Sequence, residues 1–528
     1  MPDQPSAPSA DSEISFGARL RQQAARRGDA PAVTVVDART GPGLLPAAAS
    51  WRGLDELVDR AAHVLADRSV GPGMVVGIGL RNCLAHVVAV LAAWRLGATI
   101  ITFDAAQPAA RAADVLRRAG ARFALAEDGR SVEGIAFVQR SAFEQACLAA
   151  AAAPVADLVP LPGKIVQSGG STGVPKLMAD DRPWQRAPGR AWGNVAPALG
   201  FCPDQVQLVA AAMSHNAALT WAQIGLFEGH HLVVLEQFEA ERAVAAIETH
   251  RVEFLVAVPT MMVRMADLPG IERRDWSALR SFYHTGAPCA EWLKRRWIDI
   301  LGPDRVFEMY GSGENVGQTI VGGRDWLAHP GTVGRPFETD ARILDPDGRP
   351  VPAGAVGELF MRRQADDGTV RYLDPEAKMR TDADGFTSIG DMARMDGEGY
   401  VYLAGRRDDV INTGGIKVHP EKIEAVLLAH PAVRDVVVIG LPDREWGETV
   451  HAVAEPVDAG APPDLAALRR HCAGQLTAAE LPKGLTVRPA LPRDGFGKVM
   501  RRAVRAALEA DGAERTASPP PIPPALGA

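Results

Sequence analysis

The sequence predicts an α/β protein in two parts, a large N-terminal domain of helix-covered, mostly parallel sheets and a small α+β C-terminal domain. Three observations carry this expectation. The chain has 528 residues, too many for one hydrophobic core. Segments with helical spacing alternate with short β-branched runs over most of its length. Past Gly405 that alternation gives way to a compact mixture of helix and strand.

Residues 1–13 are polar and proline-containing and are expected to be disordered, because such ends bury too little surface to offset their ordering entropy. Leu54 to Ala66 and Ala85 to Leu96 have helical spacing, and Val75–Leu80 and Ala98–Phe103 are β-branched runs flanking the second helix. Strand, helix, strand at this spacing implies parallel pairing with helices on the sheet faces. Phe254–Pro259 and Arg280–His284 read as further strands ending in Pro or Gly loops, the places where ligands gather in open α/β sheets. Ile423–Leu428 reads as helix, Val433–Gly440 as strand and Leu465–Leu476 as helix. Residues 511–528, with the run Ser518–Pro524, are expected to form a disordered tail, and the 30 residues after Lys498 are too few for a carrier-protein domain.

Composition narrows the function classes. Hydrophobic residues at 47% and charged residues at 23% are ordinary globular values. A net charge of −7 gives no reason to expect nucleic acid or an anionic membrane as partner. Cys83, Cys147, Cys202, Cys289 and Cys472 are odd in number and lack CxxC pairs, which argues against a disulfide framework and a zinc site. There is no basic-then-apolar leader and no run of about 18 apolar residues, so a cytoplasmic protein is expected.

The most informative stretch is Ser168-Gly-Gly-Ser-Thr-Gly-Val-Pro-Lys176, directly after the strand-like Lys164–Gln167. Its glycines let backbone N–H groups converge and its hydroxyls add donors, a chemistry suited to oligophosphate. The GxxxxGK[ST] spacing of nucleoside-triphosphatase P-loops is absent. Five more segments follow in order: His284–Pro288, Glu308–Glu314, Ser388–Asp391, Gly405–Ile411 and Gly497-Lys498. Together the six resemble the motifs of the adenylate-forming superfamily of acyl-CoA synthetases, adenylation domains and luciferase.

That resemblance implies a large domain, residues 14–407, carrying a mobile domain, residues 408–510, that rotates between two half-reactions. It implies ATP, AMP and coenzyme A as substrates and products, Mg2+ as cofactor and a carboxylic acid as the molecule activated. Ser168, Gly170, Ser171 and Thr172 would hold the phosphates and Lys176 would brace the loop. Gly286, Ala287 and Pro288 resemble the segment along the adenine, and Glu308, Met309, Tyr310, Gly311 and Gly313 the second nucleotide motif, with Tyr310 stacking on the base. Glu314 resembles the magnesium ligand, a hard cation favouring carboxylate oxygen. Asp391 resembles the acceptor of the ribose hydroxyls and Arg406 a second ribose contact. Lys498 resembles the lysine that bridges substrate carboxylate and α-phosphate, and Asp408 the hinge. Gly414 and Gly415 resemble the pair past which a pantetheine arm runs. His215, in Ser214–Trp221, resembles a residue gating the acyl pocket of fatty-acyl and steroid CoA ligases.

One position departs from the pattern. The family reads Tyr-Gly-x-Thr-Glu where this chain reads Tyr310-Gly-Ser-Gly-Glu314, so Gly313 replaces a threonine whose hydroxyl donates to the α-phosphate. Loss of one hydrogen bond to a charged group costs about 1.5–3 kcal/mol, or roughly one to two decades in rate. Ser312 is expected to point elsewhere in an extended loop and so not to compensate. Three functions stay open: a complete acyl-CoA ligase, a non-adenylating ligase similar to the divided ligases of diterpenoid antibiotic pathways, and an adenylation enzyme that loads a carrier protein. A degenerate nucleotide-binding scaffold is the reading from another class. Met213-Ser-His215 lacks the aspartate that pairs with an amino-acid ammonium, and Ala211, Ala212, Ala217 and Ala218 leave volume for a bulky, polycyclic acid. A separate adenylating ligase and a second copy in a homodimer are the protein partners kept in view.

Overall fold

The computed structural model describes residues 12–132, 134–167, 175–365, 370–374, 376–443, 445–493 and 499–517, with side chains of the last helix to residue 510. The described residues divide into two compact units, one of 12–167, 175–389 and 394–402, the other of 390–393 and 403 onward. The second unit therefore also takes the stretches around Asp391 and Arg406, ahead of the expected boundary at 407/408. Arg406 pairs with Asp391 at 2.9 Å, and the Arg407 N–H donates to the Gly390 carbonyl at 2.8 Å, which ties these stretches together.

Two mixed sheets organise the first unit. The seven-stranded sheet runs Val370–Tyr372, Leu177–Asp180, Lys164–Gln167, Thr99–Thr102, Val75–Gly79, Phe123–Ala126, Ala136–Gln139. Its last four pairings are parallel, as the strand-helix-strand spacing predicts, and the first two are antiparallel. The helix Leu84–Arg95 between two of these strands is buried at all 12 positions, matching a sequence that is apolar except at His86 and Arg95. Its one charged residue, Arg95, is compensated by Asp55, Asp59 and Asp157.

The nine-stranded sheet runs Arg335–Pro336, Gln318–Gly322, Val306–Gly311, Ser281–His284, Phe254–Ala257, Val206–Val209, His231–Leu235, Pro31–Val36, Ala48–Ser50. Its five central pairings are parallel and its edges antiparallel. Thr339–Leu344 and Gly357–Arg363 pair antiparallel in a third sheet, which Thr387–Ser388 and Arg380–Thr381 extend. Among the described residues no helix is long and apolar enough to cross a membrane, and all five cysteines are free thiols.

The second unit is built on the long antiparallel pair Val433–Asp443 and Gly447–Pro456. Strand alternation sends Val436 and Val438 to one core with Ile423, Leu427 and Leu468, and Val437 and Ile439 to another with Leu491 and Val504. Two expectations are corrected here. The helix from Leu465 ends at Cys472, not Leu476, because Ala473 turns extended. The last helix, Arg501–Ala517, runs seven residues into the expected tail, and 518–528, like 1–11, lie outside the described residues.

Candidate active site

Ser168, Gly170, Ser171, Thr172 and Lys498 lie outside the described residues, so the site is built from what frames them. Lys164–Gln167 and Leu177–Asp180, the strands on either side of the Gly/Ser stretch, pair antiparallel, and Val370–Tyr372 extends the ladder. The register sets Val166 opposite Met178 and Met178 opposite Tyr372. Directly opposed residues share a sheet face, so these three form a row.

Charge gathers at one end of that row. The Lys176 Nζ lies 4.9 Å from the centroid of the Tyr372 ring, within cation–π range. The Tyr372 hydroxyl donates to Glu314 Oε1 at 2.9 Å. One tyrosine thus connects the lysine expected to brace the phosphate loop with the carboxylate expected to hold the metal. Sequence reading missed Tyr372, since 58 residues separate it from Glu314 and its short strand carries no motif of its own.

Glu314 sits in a tight turn. The Asn315 N–H donates to the Ser312 carbonyl at 3.1 Å, and Asn315 has φ +54°. This corrects the extended loop expected at Ser312. Among the described residues the buried Ser312 Oγ has no hydrogen-bond partner. Among the described residues no group of three or more His, Cys, Asp or Glu is placed to hold a metal. A lone Glu314 fits Mg2+, which takes most of its ligands from phosphate oxygens and water.

Gly286, Ala287 and Pro288 follow the C-terminal end of the parallel strand Ser281–His284. Gly286 is exposed with φ +88°, a conformation that L side chains rarely adopt. The Thr285 hydroxyl donates to the Met309 carbonyl at 2.8 Å, tying this segment to the strand Val306–Gly311 that carries Tyr310. Tyr310 and Gly311 are half-buried there. The buried Glu308 carboxylate on the same strand pairs with Lys294 at 2.5 Å. Beside it, burial lowers the His284 pKa to about 4 against the attraction of Glu308, so the ring is neutral at ordinary pH.

His215 precedes the helix Asn216–Glu228, and the Thr102 hydroxyl holds the Ser214 carbonyl at 2.8 Å. Beneath the helix start, the Lys164 Nζ donates to Asn216 Oδ1 at 2.7 Å and to Thr220. Burial, with help from Arg186 and against Asp180, lowers the Lys164 pKa to about 7. Ala211 and Ala218 are buried, Ala217 is half-buried and Ala212 is exposed.

In the second unit Asp391 is buried and holds Arg406 at 2.9 Å, bringing the two expected ribose contacts together. Asp408 lies in the single 3-10 turn Arg407–Asp409, 3.3 Å from Arg407. Gly414 and Gly415, at φ +58° and +81°, are the two loop residues of a hairpin that pairs Thr413 with Ile416. That conformation favours glycine at both positions whether or not a ligand passes.

The comparisons agree with this architecture. The model of the AMP-binding enzyme family matches residues 20–366, and that of the AMP-binding enzyme C-terminal domain matches 422–498. A feruloyl-CoA synthase from an Amycolatopsis species is 33% identical over 65% of this chain and 69% of its own. The fatty acid–[acyl-carrier-protein] ligase ScoC of Streptomyces coeruleorubidus is 32% identical over 59% of this chain and 60% of its own. The o-succinylbenzoate CoA synthetase of Bacillus subtilis, solved with ATP and a magnesium ion, superimposes with TM-score 0.78 at 23% identity, over 93% of this chain and 99% of its own. That likeness speaks for the fold. The chain belongs to the AMP-binding enzymes. Within them it is an acid–thiol ligase of the AMP-forming kind.

Proposed function

We propose that the chain converts a carboxylic acid to its coenzyme A thioester through an acyl-adenylate. In the first step a carboxylate oxygen attacks the α-phosphorus of ATP, a mixed anhydride forms and pyrophosphate leaves. In the second the coenzyme A sulfur attacks the acyl carbon, a thioester forms and AMP leaves. The observation that carries this reading is the Lys176–Tyr372–Glu314 set beside the Gly/Ser stretch.

Two anions meet in the first step, so the site must supply donors and positive charge. Ser168, Gly170, Ser171, Thr172 and Lys176 hold the phosphates, and Glu314 holds Mg2+, which supplies charge neutralisation when bound. Tyr310 and Gly286–Pro288 take the adenine, Asp391 and Arg406 the ribose. Lys498 brings its ammonium to the carboxylate and the α-phosphate. Rotation of residues 408–510 about Asp408 exchanges this arrangement for the thioester-forming one, with the pantetheine arm passing Gly414 and Gly415. His215 borders the acyl pocket, and the surrounding alanines favour a bulky, polycyclic acid. The protein works in the cytoplasm.

Incubation with ATP, Mg2+, coenzyme A and a panel of acids, with mass detection of acyl-CoA, tests this reading. An acyl-CoA from at least one bulky acid is expected. Acylation of a carrier protein with none of free coenzyme A would overturn the choice of acceptor.

Gly313 favours a second reading, because the hydroxyl that would donate to the α-phosphate is missing there. In that reading the chain thioesterifies an acyl-adenylate made by a separate ligase. It predicts acyl-CoA from a synthetic acyl-adenylate and none from the free acid with ATP.

A further inference from the structure

Gly313 has no backbone reason to be glycine, since it does not lie in the left-handed region. Its reason is space. A Cβ built on Gly313 would stand 2.9 Å from the Met178 terminal methyl and 3.4 Å from Val166 Cγ1, the first closer than real Cβ contacts come. Met178 is 1% exposed and sits between Val166 and Tyr372 in the three-strand row. The atom met is the movable end of a flexible side chain, so it is the burial of Met178 that leaves its methyl little room to give way. A threonine adds two more heavy atoms to that Cβ. Interiors packed this closely resist added volume.

We propose that Met178 is a positioning residue that closes position 313 to side chains, so that Gly313 and Met178 form a matched pair. The missing hydroxyl is then a property of two residues remote in sequence, one in a turn and one on a strand. Gly313→Thr alone drives its side chain into the methionine. It delivers a hydroxyl to the turn only when residue 178 is shortened. The catalytic meaning of the pair rests on the reading of this turn as part of the nucleotide site, whereas its packing does not.

The test is a double-mutant cycle on the full chain with Gly313→Thr, Met178→Val and both together, read by thermal midpoint and by ATP–pyrophosphate exchange. Gly313→Thr alone is expected to lower the midpoint by about 2 °C or more. The double variant is expected to regain most of that loss, and exchange to rise about tenfold only in the double variant. Losses that simply add, a Gly313→Thr protein as stable as the parent, or exchange that rises equally in the single variant would each overturn the proposal. If Gly313→Thr does not fold, Gly313→Ala with and without Met178→Val reads the same coupling, because the Cβ alone reaches the methyl. Coupling in stability with unchanged exchange upholds the matched pair and refutes the placement of the turn at the α-phosphate.

Discussion

Replacing Tyr372 with phenylalanine removes one oxygen and leaves the ring. The hydroxyl donates to Glu314 at 2.9 Å, whereas the face toward the Lys176 ammonium stays in place. A hydrogen bond to a charged group contributes about 1.5–3 kcal/mol. Both partners here are half-buried, so water competes and the lower end applies. At about 1.4 kcal/mol per decade, the expected loss is roughly tenfold. If Glu314 holds the cation, that loss appears as a tenfold higher Mg2+ concentration for half-maximal rate, with the KM for the acid unchanged. Tyr372→Leu also removes the cation–π contact, about 0.5–1 kcal/mol and a further two- to fivefold. The assay is initial acyl-CoA or exchange rate against Mg2+ at fixed ATP. A phenylalanine variant with the parent's Mg2+ dependence, or a loss confined to the acid KM, would refute the connection between Lys176 and Glu314 through Tyr372.

Two further outcomes follow from the geometry. Asp391→Asn keeps the shape but removes the charge facing Arg406. If Asp391 accepts the ribose hydroxyls, kcat/KM for ATP falls about 10- to 100-fold and the preference for ATP over 2′-deoxy-ATP shrinks. Lys164 has a folded pKa near 7 against a usual value near 10.5. Between those values the unfolded chain holds a proton that the folded chain has shed, so stability rises with pH across that window and the burial cost is fullest below pH 7. Lys164→Met removes that slope, and thermal midpoints of both proteins from pH 6 to 10 reveal the difference.

Local pattern carried most of the fold. Val75, Thr99 and the buried helix between them follow from β-branched runs around a continuous apolar stretch. The antiparallel edges of both sheets were not legible, because nothing near Leu177 or Gln318 in sequence specifies the direction of the partner strand. Helix ends were off where Ala473 breaks a periodic run and where Arg501–Ala517 extends through polar residues.

The site was legible as motifs but not as contacts. Asp391 and Arg406 were expected as partners in one role, and the structure pairs them. Glu308 was grouped with the nucleotide motif, and its carboxylate pairs with Lys294, a partner that no spacing revealed. Tyr372 and Met178 were invisible for the same reason, since strand register sets the two side by side and packing, not sequence proximity, brings them to Glu314 and Gly313.

The most direct test of an acid ligase working through an acyl-adenylate separates its two steps. ATP–pyrophosphate exchange with a panel of acids reports adenylation, and acyl-CoA formation from a synthetic acyl-adenylate reports thioester formation. Activity in both is predicted, with exchange slowed by the absent hydroxyl at Gly313 but measurable for at least one bulky acid. Thioester formation without exchange for any acid would contradict the two-step ligase and leave a chain that completes a reaction begun by another enzyme.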